Sequence, residues 1–232
     1  MLTEKEIRKM KKWLSVVLAL ALLIAGLTGS ILAEEKQGQR EASGIDYLVL
    51  VNRKHALPEG WEEAMETVTI TNARGKEVTV ERTAYAAFLQ LKEALAQENV
   101  LIDIESAYLS VAEQQETVNR LTEKNGEGFV RQYVIKPGYS EYHTGLALNL
   151  SLIMNGKNVY KTKDMVLYPD TWAVIHAHLA EYGFILRYPY EKKDVTGFGY
   201  EAWHIRYVGA AAAKAMEEQG LALEEYVEML GQ

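Results

Sequence analysis

The side chains that could carry chemistry in this sequence form a restricted set. There is no cysteine, so a thiolate nucleophile, a thiolate metal site and a disulfide are all excluded. No serine sits in a G-x-S-x-G elbow, which closes that route to a metal-independent hydrolase. Of the five histidines, His176 and His178 lie two apart on an expected helix, where i and i+2 do not share a face. Both are expected at the solvent, and His55 gives no site signal. Two stretches are left. Gly138 to Leu150 reads GYSEYHTGLALNL, and Tyr200 to Gly209 reads YEAWHIRYVG, with Glu201 three residues before His204. Carboxylates and imidazoles are the groups that move protons and ligate metals.

Both stretches resemble the zinc-site motifs of the VanY-type D-alanyl-D-alanine carboxypeptidases, which trim peptidoglycan stem peptides. In that family S-x-H-x-x-G-x-A-x-D supplies a His and an Asp to zinc, and E-x-W-H supplies a catalytic Glu and a third ligand. The register set by Ser140, Gly145 and Ala147 puts Tyr142 in the place of the first His and Asn149 in the place of the Asp, while Glu201 and His204 match. Three further segments are similar to the family's in the same order: LVLVNRKHALP near Leu48, SAYLSVAEQQ over Ser106 to Gln115, and YGFILRYP over Tyr182 to Pro189. Against the family's S-G-Y-R-S-x-x-x-Q, residues Ser106, Tyr108, Ser110 and Gln114 keep the pattern of a substrate-facing segment, as does Ser140 in the first motif. Leu109 stands where an Arg would face the substrate.

The resemblance implies a zinc-peptidase frame in which most of the zinc site is replaced. A catalytic zinc has three protein ligands and one open position. Neutral Asn149 offers an amide oxygen without charge, and Tyr142 is a phenol whose ordinary pKa is about 10. A complete structural zinc site contributes about 10 kcal/mol or more, so losing two ligands removes most of the affinity and no tightly bound cofactor is expected. Leu109 cannot make a charge-assisted bond to a carboxylate or oxyanion. His143 is expected to be a surface residue or a neighbour supporting the site. It becomes a rescuing ligand only if a bulge turns it inward. Glu201 holds the general-base position, either as a working base or as a remnant. The resemblance, with these replacements, implies a carboxypeptidase-like protein of peptidoglycan metabolism, expected to be inactive and to act by binding a stem peptide or a wall protein. The alternative is an active zinc D,D- or L,D-carboxypeptidase with zinc held by His204, His143 and Tyr142.

The elements that must position these residues can be read from periodicity. Tyr47 to Val51 is expected as a strand. Val68 to Thr71 and Val78 to Val80 flank Asn72-Ala73-Arg74-Gly75 as a hairpin. Thr83 to Gln97 carries Ala84, Phe88, Leu91 and Leu95 at helical spacing. Val100 to Ile104 is expected as a strand and Ser110 to Leu121 as a helix. Leu146 to Ile153 alternates as a strand before an Asn155-Gly156 turn. Thr171 to Tyr182 fits a helix stopping at Gly183. Phe184 to Arg187 and Trp203 to Tyr207 read as strands, and Ala210 to Gln219 and Leu223 to Leu230 as helices around Gly220. Without a regular β-α-β rhythm, the class is α+β: one domain with a mainly antiparallel sheet flanked by helices, as the resemblance to the hedgehog/VanY-like D,D-peptidase fold also implies.

Length and charge bound the rest. The chain of 232 residues is ample for a core, and its formal charge of −7 argues against a nucleic-acid partner. Residues 1–12 are basic, with Lys5, Arg8, Lys9, Lys11 and Lys12 ahead of an uncharged apolar run over 13–33. That run is a signal peptide or a membrane anchor, and the basic side stays inside. An exported protein is expected, anchored in the membrane or released by cleavage near Ala33. Residues 34–43 read as a linker, and 44–232 as the carboxypeptidase-like domain.

Overall fold

The structure is a computed structural model and describes residues 45–231. The expected basic region, apolar run and linker lie outside the described residues. Among those described, no helix is long and apolar enough to cross a membrane.

A two-stranded hairpin opens the regular structure, β1 (Thr67–Thr71) pairing antiparallel with β2 (Glu77–Glu81). Buried Asn72 closes its turn. Its Oδ1 accepts from the backbone N–H groups of Arg74 and Lys76, and its Nδ2 donates to the Ile104 carbonyl. Glu81 ends β2 and caps helix α2 (Arg82–Gln97), accepting from the Ala84 N–H at 2.7 Å. That bond satisfies one of the donors that every helix start leaves open. The face α2 buries is the one its spacing predicts: Ala84, Phe88, Leu91 and Leu95. Each large side chain so buried contributes about 1.5–3 kcal/mol. A one-turn helix, α1 (Trp61–Ala64), precedes the hairpin.

The main sheet runs β3 (Ile102–Ser106), β4 (Ala147–Met154), β7 (His204–Tyr207), β6 (Phe184–Leu186), with β5 (Lys157–Val159) paired to β4. Every pairing in it is antiparallel. β4 is central, and three of its leucines, Leu148, Leu150 and Leu152, are fully buried. The β4–β5 turn uses Asn155 and Gly156 at φ 52° and 73°, the left-handed pair that a tight hairpin requires. Helices α3 (Val111–Asn125) and α4 (Glu127–Tyr133) follow β3. Two more, α5 (Thr162–Met165) and α6 (Pro169–His178), lie between β5 and β6. Then come α7 (Lys193–Thr196) before β7, and α8 (Ala210–Gln219) and α9 (Leu223–Met229) after it. The mixed, antiparallel, single-domain architecture expected from the sequence is the one observed.

Three expectations need correction. Tyr47 to Val51 is buried or half-buried but is not a strand. Asp46 turns the chain there, accepting from the N–H groups of Leu48 and Val49, and the Arg206 guanidinium takes the carbonyls of Tyr47 and Val49. A buried arginine thus does for this segment what a sheet ladder would do. His176 and His178 are not simply solvent-facing. The His176 Nε2 lies 2.9 Å from the Ala202 carbonyl, and His178 bridges the Val174 carbonyl and the Glu98 carboxylate. His143 is not a surface residue; it is fully buried.

Candidate functional site

The site is assembled on two neighbouring strands and one tight turn. In the β4–β7 ladder Asn149 lies directly opposite His204, and on its other side Asn149 faces Ser106 across a bulge in β3. The chain enters β4 through a 3-10 turn, Glu141–Thr144, ending on Gly145 at φ 68°. A Cβ on Gly145 would come within 2.4 Å of the Met65 sulfur and 3.2 Å of the Glu81 Cβ, so glycine suits both that conformation and that close packing. This turn decides where three side chains go. Glu141 and Tyr142 both reach His204, whereas His143 turns away and its Nδ1–H donates to the Leu109 carbonyl at 2.6 Å.

Both ring nitrogens of His204 are engaged. Nε2 is 3.1 Å from Glu141 Oε2, and Nδ1 is 3.2 Å from the Tyr142 hydroxyl. Glu141 is fully buried, with Arg187 Nε and Arg206 Nη1 donating to its Oε1 at 2.6 and 2.8 Å. Burial alone would raise its pKa. The two guanidiniums and His204 outweigh that and hold it well below the ordinary carboxylate range. An ionised carboxylate only accepts, so Nε2 carries the proton; in the neutral ring Nδ1 is then a lone pair, and Tyr142 O–H donates to it. Burial, reinforced by the charges of Glu201 and Glu141, raises the Tyr142 pKa, with the Asn149 side chain pulling slightly the other way. The phenol is therefore a protonated donor at neutral pH.

These residues do not fit a catalytic zinc. The imidazole Nδ1 that a metal would need is in contact with the Tyr142 hydroxyl, the phenol is not a phenolate, and Asn149 carries no charge. The Asn149 Oδ1 is buried without a partner. Among the described residues no group of three or more His, Cys, Asp and Glu is placed to hold a metal ion. His143 does not join the set: its Nδ1 is bonded to Leu109, and its Nε2 is buried without a partner.

Beside His204 lies a cavity of about 120 Å³, lined by Ser140, Tyr142 and Glu201 together with aromatic Tyr139, Tyr188 and Phe198. Tyr188 stacks on Phe198 with centroids 4.6 Å apart and tilts against His204 at 4.8 Å. Glu201 Oε2 is 3.7 Å from His204 Nδ1. Its pKa is raised, mainly by burial and further by Glu141, with His204 opposing. It is a half-buried carboxyl facing the cavity, the environment in which a carboxyl can serve as acid or base.

The structure thus brings Ser140, Tyr142, Asn149, Glu201 and His204 together and keeps the other candidates in the frame around them. Tyr108 O–H donates to Glu62, Ser110 caps α3 in a box with Glu113, and Gln114 donates to the carbonyl of Ile135, a cavity-wall residue. The Leu109 backbone lies between two residues of the turn, its N–H donating to the Tyr142 carbonyl and its own carbonyl accepting from His143. Sequence reasoning missed Glu141, Arg187, Arg206, Tyr188 and Phe198. The two arginines did carry a signal, since each stands within a strand-like apolar run, and a charge buried there must be paired.

Fold and site define a peptidase-like frame, and comparison with known proteins names it. The model of the VanY D-alanyl-D-alanine carboxypeptidase family matches residues 77–210. A D-alanyl-D-alanine carboxypeptidase of Enterococcus faecalis is 30% identical over 207 residues, covering 84% of this chain and 69% of that protein. Among solved structures, the L,D-carboxypeptidase LdcB superposes with a TM-score of 0.66 at 29% identity, covering 79% of this chain and 86% of LdcB. A point mutant of the vancomycin-resistance D,D-pentapeptidase VanY, in complex with Zn(II), superposes with a TM-score of 0.62 at 26% identity, covering 78% of this chain and 98% of VanY. The chain belongs to the VanY D-alanyl-D-alanine carboxypeptidase family. It is a carboxypeptidase-like protein of a family that acts on peptidoglycan.

Proposed function

We propose that this protein has given up zinc-dependent hydrolysis and acts by binding a peptidoglycan stem peptide, or a wall-enzyme partner, in the cavity beside His204. One observation carries the reading: the Tyr142 hydroxyl sits on His204 Nδ1 at 3.2 Å, where a metal would need that lone pair. The cavity's lining combines aromatic Tyr139, Tyr188 and Phe198 with polar Ser140 and Glu201, a mixture that suits the end of a peptide without requiring an electrophile. The basic residues 1–12 and the apolar run 13–33 support a location outside the cytoplasmic membrane, tethered or released. A second reading, an active carboxypeptidase with an atypical metal site, is favoured by Glu201 alone, which keeps a raised pKa beside the cavity.

The test is calorimetric titration of the protein with a pentapeptide ending in D-alanyl-D-alanine, alongside an assay for released D-alanine after equilibration with zinc. Binding without release, and without retained zinc, is the expected result. Release that a chelator and Glu201→Ala both abolish would overturn this reading in favour of the second. Failure to bind any wall fragment would remove the peptide and leave a protein partner.

A further inference from the structure

A cavity of about 400 Å³ shares no lining residue with the one beside His204. It lies along β6, which ends the main sheet and pairs with β7 alone. Phe184 and Leu186 project from one face of that strand and Ile185 from the other. Phe184 packs on the Tyr207 ring, whereas Ile185 packs against the cluster that holds Ala213 and Met216 of α8. All three strand residues nevertheless line this cavity. A space that reaches both faces of a strand runs along its edge.

The backbone at that edge is open. The Arg187 N–H donates to the His204 carbonyl, and the Gly183 carbonyl accepts from the Val208 N–H. Residues 183, 185 and 187 thus turn their backbone groups toward β7, and 184 and 186 turn theirs away. The Phe184 N–H is taken by the Leu179 carbonyl at 2.9 Å. Among the described residues, the Phe184 carbonyl and both backbone groups of Leu186 have no hydrogen-bond partner. Edges are ordinarily blunted by a Lys, a Pro or a bulge, and β6 contains none of these. The rim is acidic. Glu191 and Glu217 line the cavity and are exposed, and among the described residues neither makes an ion pair. Lys192 also lines it, but is held by Glu225 at 2.7 Å.

We propose that the edge of β6 is a docking site for a protein partner, which adds an extended segment to the sheet. The segment's apolar side chains enter the groove, and its lysines or arginines meet Glu191 and Glu217. An extended backbone pairs the open groups of Phe184 and Leu186, which a small apolar molecule would leave unpaired. A second copy of this chain fits poorly, because two-fold pairing of β6 with itself brings the two acidic rims together. The site is independent of what the cavity beside His204 binds.

The test measures fluorescence anisotropy of three labelled octapeptides with the full-length protein at low salt. The first alternates valine with lysine, the second is the same peptide with its backbone amides N-methylated, and the third has glutamate in place of lysine. The first should bind about tenfold more tightly than either of the others, from lost hydrogen bonds in one case and lost charge contacts in the other. Glu191→Lys/Glu217→Lys should weaken the lysine peptide about tenfold. Glu116→Lys/Glu123→Lys, at exposed positions of α3, makes the same change in net charge and should leave binding unaltered. No binding of the lysine peptide, binding that survives N-methylation, or equal losses in the two charge-reversed proteins would each overturn the docking site. Crosslinked dimers that the lysine peptide dissolves would identify a second copy as the occupant and overturn it equally.

Discussion

Two residues set the chemistry at His204, and they act as a couple. A histidine and an aspartate at positions 142 and 149 would present a lone pair and a charge to a cation. Tyr142 instead presents a proton to His204, and Asn149 a neutral amide to the phenol. Tyr142→His with Asn149→Asp should therefore recover zinc binding, read as metal retained per chain after removal of excess. Either change alone should retain much less, since a catalytic zinc has three protein ligands. Absence of metal in the double variant would show that the register drawn through Ser140, Gly145 and Ala147 is wrong. Both positions stand out in the sequence because the spacing of the motif they resemble is fixed. The role of Tyr142 was not legible, because a one-dimensional pattern does not say that a phenol will donate to the histidine of another strand.

At the scale of elements, what could be read was whatever repeats. The helical face of Ala84, Phe88, Leu91 and Leu95 follows from a period of 3.6 and was observed; the strand expected over Leu146 to Ile153 is present as β4, but its burial does not alternate, Ser151 being as buried as Leu150 and Leu152. The 3-10 turn Glu141–Thr144 has no period to detect, and it is this turn that separates His143 from Tyr142. Tyr47 to Val51 misled because its apolar composition suits a strand, while its carbonyls are satisfied by Arg206 from far along the chain. Gly183 tests the packing of β6 and β7. It sits at φ 79°, and a Cβ there would come within 2.8 Å of the Tyr207 ring and 3.0 Å of the Ala210 nitrogen. Gly197, at φ 74°, has nothing within 4 Å of the same added atom. Gly197→Ala should cost about 1–2 kcal/mol, the strain of a left-handed residue. Gly183→Ala should cost about 1–3 kcal/mol more through overpacking. Equal losses in urea denaturation would mean that β7 gives way freely.

At the scale of the whole molecule, one buried carboxylate ties separate elements together. Glu141 joins the turn before β4 to Arg187, just past the end of β6, and to Arg206 and His204 on β7. Removing its charge leaves two buried guanidiniums short of an anion, so Glu141→Gln should cost about 3–5 kcal/mol, measured as a shift in the urea midpoint. The pH dependence follows from the direction of its pKa. Because Glu141 is held below its ordinary value of 4.5, its contribution is present in full above that value. It is lost as the pH falls below it toward the depressed folded-state value. Acid titration of unfolding should show this decline in the unaltered protein and a flatter profile in Glu141→Gln. A profile unchanged by the substitution would mean that other carboxyls govern acid unfolding.

Arg187 binds two carboxylates, and the second, Glu224, belongs to α9, the last helix described. During synthesis the sheet strands, the turn at Glu141 and Arg187 itself all leave the ribosome before residue 224 does. Until then the buried guanidinium has half of its counter-charge. Completion of the site is therefore a late event of biogenesis, and a chain stalled short of α9 would carry every motif residue without the anchor that fixes them.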